Sequence, residues 1–260
     1  MIENSDLEAN GDPEFMQSLA RGLAVLRCFA NEQRPMTIAQ ASRLTGLSRP
    51  AVKRGLHTLV RTGYAAQDGV QSALRPKVLA LGYAYMSSST LAMRAQPLLD
   101  QLRDDLHESC SLGVIEEDEV YYVARAEVSR IMSIALRVGS RLPLYCTSMG
   151  RVLLAAQPRG DQEAYLRRTQ LRQCTPKTEI NPSKLLAILE HVAEEGYAIV
   201  DEELELGLRS VAVAVHGKAG AMAAVNMGTQ AARVSLPDMR SRFLPGLRRI
   251  ARNLEAMGHD

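Results

Sequence analysis

Tryptophan is absent from this 260-residue chain, and aromatic residues make up only 4% of it. The core must therefore be largely aliphatic, and a hydrophobic content of 46% is enough to build one. Four cysteines, Cys28, Cys110, Cys146 and Cys174, are scattered along the chain. No CxxC or paired Cys/His spacing occurs, and His107 and Cys110 stand three apart without a second ligand pair. No metal or other cofactor is expected, and the thiols read as reduced side chains of a cytoplasmic protein. There is no signal peptide and no apolar run of membrane length, so no membrane partner is expected. Enzyme signatures are missing too: no P-loop, no GxSxG elbow, no paired histidines for zinc. His191 and His216 are isolated, and no catalytic residue is expected.

One further absence is local. From Gln33 to Gln67 there is no Asp or Glu, while Arg34, Arg43, Arg49, Lys53, Arg54 and Arg61 are all there. That segment carries +6 in a chain whose net charge is +2, leaving −4 for the remainder. Such asymmetry is the footprint of a surface that faces phosphates.

The pattern around it has a definite order. Residues 17–30 place Leu19, Leu23, Leu26 and Ala30 on one helical stripe. Thr37 starts a second helix, with Gln40 three residues on as in a capping box, and Gly46 stops it. Ser48 caps a third helix, with Pro50 tolerated in its first turn. Val52, Leu56, Leu59 and Val60 turn one way, into a core. Arg49, Lys53 and His57 recur every four residues on the opposite face, flanked by Arg54. A helix anchored on one face and basic on the other can lie in the major groove. Gly63 ends it, and Asp68-Gly69 makes a hairpin turn. This is a winged helix-turn-helix, with Thr37, Ser48, Arg49, Lys53, Arg54 and His57 as candidate contacts to double-stranded DNA.

Pro76 opens a linker helix, and small polar residues at 87–90 make a joint. A longer helix with Leu98, Leu102 and Leu106 on one stripe follows, kinked or restarted at Pro97. From Ser111 the pattern becomes α+β, with mostly antiparallel strands and helices packed on them. Strands are expected over 111–127, 130–139 and 197–204, with a hairpin around Gly217 to Gly220. Helices are expected from about Ser148, over 182–196 and from Asp238 to the end. The expected divisions are a disordered tail over 1–15, a DNA-binding domain over 16–75, a linker helix over 76–90 and a ligand-binding domain over 91–260. Gly139, Gly150, Gly207 and Gly228 punctuate this half beside small or polar residues, and the helix start at Ser148 offers N–H groups to a carboxylate. A sensor of a small organic acid fits that composition. The acidic run 201–205 reads as a solvated loop.

From about Gln17 to Met257 the chain resembles the IclR family of bacterial transcriptional regulators. The segments that carry the resemblance are TGLSRPAVKRGLHTLVRTGY, LRPKVLALGYAY, GSRLPLYCTSMGRVLLA and EEGYAIVDEELELGLRSVAVAV. QSLARGLAVLRCF and RLPLYCTSMGRVLLA resemble most the branch serving the β-ketoadipate and hydroxybenzoate pathways. The resemblance implies a winged helix-turn-helix joined by a linker helix to a GAF-like effector domain. It also implies dimers or tetramers on palindromic operator DNA, and control of a catabolic operon by activation or repression. The family's effector positions fall here on Ser148, Met149, Val200, Ser210, Asn226 and Gly228, with Leu142, Tyr145 and Ile134 adjacent. This chain departs from the family in having Val200 where an acidic residue is frequent and Ser210 where a cysteine is frequent. Val200, with flexible, apolar Met149, favours a larger, flatter or more apolar ligand, and an aromatic acid is the expected effector. Two other readings stand beside it: an enzyme with an incidental basic N-terminus, and a DNA-binding redox or structural protein that answers to Cys146 or Cys174 and to no effector.

Overall fold

A computed structural model describes residues 12–32, 34–128, 136–218 and 220–257. The chain divides into two compact units, Met1–Tyr85 and Met86–Asp260. The expected tail lies outside the described residues as far as residue 11. No helix among the described residues is long and apolar enough to cross a membrane.

In the first unit, helices α1 (Gln17–Glu32), α2 (Ile38–Thr45) and α3 (Arg49–Arg61) close on Val25, Cys28, Met36, Ala41, Val52 and Leu56. The capping box forms: the Gln40 N–H donates to Thr37 Oγ1 at 3.3 Å, and the Thr37 N–H donates to Gln40 Oε1 at 2.8 Å. Donors left over at the start of α2 are thus satisfied locally. Gly46, at φ 70°, turns the chain from α2 toward α3 in a conformation that suits glycine. Strands β2 (Ala65–Asp68) and β3 (Gln71–Leu74) make the wing. A two-residue strand β1 (Met36–Thr37), too short to read by alternation, pairs with β3. The buried face of α1 differs from the leucine stripe. Leu19 and Leu23 are 56% and 48% exposed, while Ala24, Val25, Cys28 and Phe29 are buried. Smaller residues face inward because α3 comes close: a Cβ on Gly55 would lie 3.3 Å from Val25.

A 3-10 turn (Pro76–Val78) leads into α4 (Leu79–Ser88), none of whose residues is buried. Helix α5 (Thr90–Leu106) then runs continuously through Pro97. It buries Ala92, Ala95, Leu99 and Leu102, a face one position off the expected Leu98 and Leu106. The sheet of the second unit comprises β4 (Ser109–Glu116), β5 (Glu119–Ala126), β6 (Arg141–Pro143), β7 (Ala198–Asp201), β8 (Leu208–Gly217) and β9 (Gly220–Gln230). Its order among the described residues is β6-β5-β4-β9-β8-β7, and every pairing is antiparallel. Helices α6 (Ser148–Ala155), α7 (Arg159–Arg168) and α8 (Pro182–Glu195) belong to one face. A short α9 (Leu236–Asp238), a π-turn (Met239–Phe243) and α10 (Leu244–Met257) close the chain. The wide turn comes just before Pro245, which has no N–H to give a tighter one. α7 was not legible in the sequence, and most of the strand expected over 130–139 lies outside the described residues.

The sheet's two faces differ in chemistry. Along β8, Val211, Val213 and Val215 point to the α5 and α10 side, into a cluster with Leu99, Leu112, Met227 and Leu247. The alternate residues Ser210, Ala212 and Ala214 point the other way. That second face holds the apolar cluster of Val120, Ala198, Ala212 and Ala224 beneath Leu153 and Leu189. Beside that cluster the face turns polar.

Candidate ligand cavity and nucleic-acid face

The polar part of the face is set by register. Ser210 lies opposite Val200 on one side and Gly228 on the other, and Gly228 lies opposite Ser109. Asn226 faces Ser111, and Ser111 faces Arg125. Tyr122 joins the row through a β-bulge: β5 spends one extra residue between the Leu112 and Gly113 pairings, opposite Ala124 and Tyr122. The bulge shifts the phase of β5, so Tyr122 and Arg125, three residues apart, share a face. Burying serines, an asparagine and an arginine on a sheet face where valine would pack costs stability, and so marks a place for a polar guest.

The roof of the cavity is the entry to α6. Thr147 donates its hydroxyl to the Pro143 carbonyl at 2.7 Å and accepts from the Gly150 N–H at 3.2 Å. Gly150 is needed because a Cβ there would come within 2.2 Å of the Leu144 carbonyl oxygen. The Tyr145 hydroxyl donates to the Arg172 carbonyl at 2.7 Å and accepts from the Arg172 N–H at 3.0 Å. The Arg151 Nε donates to the Tyr145 carbonyl at 2.9 Å, while its two terminal nitrogens donate to Glu203 at 2.6 and 2.7 Å.

Glu203 belongs to the acidic run, which is stapled rather than solvated. Thr178 donates to the Glu203 carbonyl at 2.6 Å, and Thr175 donates to that of Glu202 at 2.7 Å. Lys177 pairs with Glu202 at 2.5 Å, and Arg209 with Asp201 at 2.5 Å. The loop so held supplies Leu204 and Leu208 to the wall.

The cavity measures about 40 Å³. Ser148, Val200, Ser210, Asn226 and Gly228 all line it, with Leu142 from the adjacent group. Met149 is buried in the apolar cluster instead, its sulfur 3.0 Å from where a Cβ on Gly113 would sit. Tyr145 braces the roof, and Ile134 lies outside the described residues. Ser109, Tyr122, Arg125, Thr147 and Leu204 line the cavity without having been singled out in the sequence, and Cys146, singled out there only as a candidate redox thiol, lines it too.

Arg125 changes the electrostatics. It donates to Ser111 Oγ at 2.9 Å, and its nearest carboxylate, Glu127, is 4.0 Å away and 57% exposed. Its Nε is buried with no partner, and so is the Ser148 Oγ of the same cavity. The wall therefore carries a positive charge, no carboxylate among its described residues, and two unused polar atoms. Each such orphan costs about 1–3 kcal/mol until something pairs with it. The Gly150 N–H is occupied by Thr147, so the guanidinium is a better anchor for an anion than the α6 amides. Burial pushes the Tyr122 phenol up to about 12, opposed by Arg125 and by a hydrogen bond with Asn226. Tyr122 thus stays an O–H group that can face a neutral hydroxyl of a guest.

On the first unit, Ser48, Arg49, Lys53, Arg54 and His57 are exposed along α3. Arg49 and Lys53 share a cleft with Thr37 and with Gln67, Gly69 and Val70 of the wing. Ser48 and His57 lie outside that cleft, and Arg54 lines a separate groove with Arg21. Thr37's hydroxyl is committed to the Gln40 cap.

Comparison with known proteins gives a consistent result. Residues 83–256 match the model of the bacterial transcriptional regulator IclR C-terminal domain, and residues 18–69 match the IclR helix-turn-helix domain. The chain is 48% identical over 246 residues to the Pca regulon regulatory protein of Pseudomonas putida, covering 94% of this chain and 84% of that protein. A solved transcriptional regulator from Rhodococcus sp. RHA1 superposes with a TM-score of 0.82 at 43% identity, covering 93% of this chain and 98% of that one. The inducer-binding domain of Acinetobacter PobR, a double mutant in complex with 3-hydroxybenzoic acid, superposes with a TM-score of 0.61 at 32% identity. It covers 64% of this chain and 98% of that one.

Proposed function

This chain belongs to the IclR family of bacterial transcriptional regulators, and we propose that it controls a catabolic operon in response to an aromatic acid held in the second unit. The observation that carries the effector reading is the unpaired Arg125 Nε in the cavity wall, beside the orphaned Ser148 hydroxyl. A carboxylate satisfies both at once through charge-assisted hydrogen bonds. Val200, Leu142, Leu204 and Leu208 supply apolar wall for a ring, and Ser210, Asn226 and Tyr122 are polar groups for a ring hydroxyl. The PobR domain's complex with 3-hydroxybenzoic acid supports the same ligand class.

A thermal melt tests this reading. 4-Hydroxybenzoate, protocatechuate, β-ketoadipate and glyoxylate are added in turn to the wild type and to Gly228→Val. An aromatic acid at a hundred times its Kd raises stability by roughly 2.7 kcal/mol in the wild type. A Cβ on Gly228 meets nothing within 4 Å, so a side chain can start there without a clash; valine's branches take up cavity space, and the acid's effect disappears. A rise with glyoxylate alone sinks the aromatic reading, and an undiminished rise in Gly228→Val puts the ligand elsewhere.

The DNA contacts are Arg49 and Lys53 at the centre, with Ser48, Arg54 and His57 beside them and Thr37 fixing the start of α2. Arg49→Ala and Lys53→Ala each weaken operator binding. A phosphate contact lowers the salt slope by about one, and a base contact costs about 1–3 kcal/mol at one position. Binding isotherms at several salt concentrations read this directly, and unchanged isotherms for both variants remove α3 from the groove.

The working protein is a cytoplasmic homo-oligomer, a dimer or tetramer. α4 supports this, because Leu79, Leu81, Tyr83 and Tyr85 are 71%, 50%, 72% and 51% exposed. An apolar helix with no buried residue needs a cover, and a second copy provides one. Sedimentation of Tyr83→Glu should give a smaller species than the wild type, and an identical mass would discount α4 as the interface.

A further inference from the structure

Helix α3 has two flanks. Arg54 stands two residues after Val52 and two before Leu56, the buried pair of α3, so at about 3.6 residues per turn it points away from the core. On one flank of that crest lies the cleft that Arg49 and Lys53 share with Thr37 and the wing. On the other lies a groove between α1 and α3, lined by Arg54, Gly55 and Thr58 and by Ser18, Arg21 and Gly22. Both depressions belong to the first unit.

Three observations mark this groove as unfinished. The Arg21 Nε is buried with no hydrogen-bond partner, which costs stability until an acceptor arrives. Arg21 and Arg54 both line the groove, and no carboxylate does so among the described residues. Gly22 sits inside α1, where glycine is a poor helix former, yet a Cβ on it would meet nothing within 4 Å. Packing therefore does not call for that glycine, whereas a Cβ on Gly55 would press on Val25 at 3.3 Å. What Gly22 keeps clear is the groove.

DNA supplies the missing acceptor. The major groove is about 12 Å wide and an α-helix with its side chains is about 10–12 Å across, so a helix seated there meets sugar-phosphate backbone on both flanks. Arg49 and Lys53 serve one flank. We propose that Arg21, which lies in α1 and outside the helix-turn-helix, joins Arg54 in holding a backbone phosphate on the other. The proposal rests on α3 lying in the groove, as read above, and adds the residue that closes its second side. Phosphate oxygens accept from two guanidinium forks at once, and residues 33–67 hold no carboxylate that would compete for them. Such a contact carries no base information. It fixes the register and orientation of α3 on the duplex.

The probe is a duplex that the wild-type protein selects from a random-sequence library. Binding isotherms at several salt concentrations, and ethylation interference on the phosphates, compare the wild type with Arg21→Met, Arg54→Met and Lys53→Ala. Arg21→Met should lower the slope of log affinity against log salt by about 0.9 for each copy of the chain on the duplex, and Arg21→Lys should recover it. For each bound copy, one phosphate whose ethylation blocks the wild type should cease to matter in Arg21→Met and in Arg54→Met alike. The same phosphate should still matter in Lys53→Ala. Without DNA, Arg21→Met should melt no lower than the wild type, because the Arg21 Nε has no protein partner to lose. If Lys53→Ala weakens binding while Arg21→Met keeps the wild-type slope and interference pattern, the proposal falls and α3 stays in the groove. Loss of different phosphates in the two arginine variants overturns it as well. A lower melt for Arg21→Met with an unchanged slope makes Arg21 a structural residue. Wild-type binding by all three variants takes α3 out of the groove, and the proposal goes with it.

Discussion

Arg125→Met is expected to abolish the stabilisation that an aromatic acid gives the protein, while operator binding without the acid stays as it was. The guanidinium is the one cation among the described residues that line the cavity, and its Nε has no protein partner. Removing one member of a desolvated, hydrogen-bonded charge pair costs about 2–5 kcal/mol, or at least about thirtyfold in affinity. Arg125→Lys keeps the charge but loses the planar fork, and should fall between the wild type and methionine. The sign for stability without ligand is the opposite. Among the described residues the one carboxylate paired with it is 4.0 Å away and exposed, so methionine relieves a poorly compensated charge and the protein should melt no lower than the wild type. Calorimetric titration together with melts checks both statements. An Arg125→Met protein that binds the acid with unchanged affinity removes the anion site from this cavity.

Glu203→Ala is expected to be the most destabilising single change in the loop that supports the cavity wall. The Arg151 side chain is 4% exposed and Glu203 13%, and the two make parallel hydrogen bonds at 2.6 and 2.7 Å. Taking the carboxylate away leaves a buried guanidinium with the Tyr145 carbonyl as its remaining partner, a loss of about 3–5 kcal/mol. The Glu179 N–H, which donates to Glu203 Oε2 at 3.0 Å, loses its acceptor as well. Arg151→Met combined with Glu203→Leu should recover most of the loss, since the cost lies in the unpaired charge and not in the missing attraction. Urea unfolding of Arg151→Met, Glu203→Leu and the variant that combines them makes the cycle. A Glu203→Ala change within about 0.5 kcal/mol of the wild type would mean that water already reaches the pair.

Much of the DNA-facing unit was legible because its signals are local. The Thr37 cap, the Gly46 turn, the basic face of α3 and the Asp68-Gly69 wing each depend on residues within a few positions of one another. The α1 face was misread because burial there follows the close approach of α3 at Gly55 and not the run of leucines. In the second unit, family motifs name Ser148, Val200, Ser210, Asn226 and Gly228, and sheet register together with the start of α6 brings them to one cavity. Arg125 could not be found that way. Simple alternation through EVYYVARA puts Tyr122 and Arg125 on opposite faces, and only the bulge opposite Leu112 and Gly113 reunites them. An arginine between two alanines, in the run of valines and tyrosines after Glu119, was the available sign. Met149 shows the opposite limit: it adjoins Ser148 in sequence, yet its side chain serves Gly113 and the core.

The size of the cavity sets what an affinity measurement on this protein will mean. Its volume of about 40 Å³ is well below the roughly 150 Å³ of a cavity known to take benzene. A ring therefore needs a wider form of the cavity than this one. If that form is populated about one part in a hundred, every aromatic acid binds about a hundredfold more weakly than its contacts alone would allow. A weak dissociation constant here is then a statement about the population of a conformer as much as about fit. Substitutions that shift that population without touching a ligand would retune the response of the operon across all acids alike.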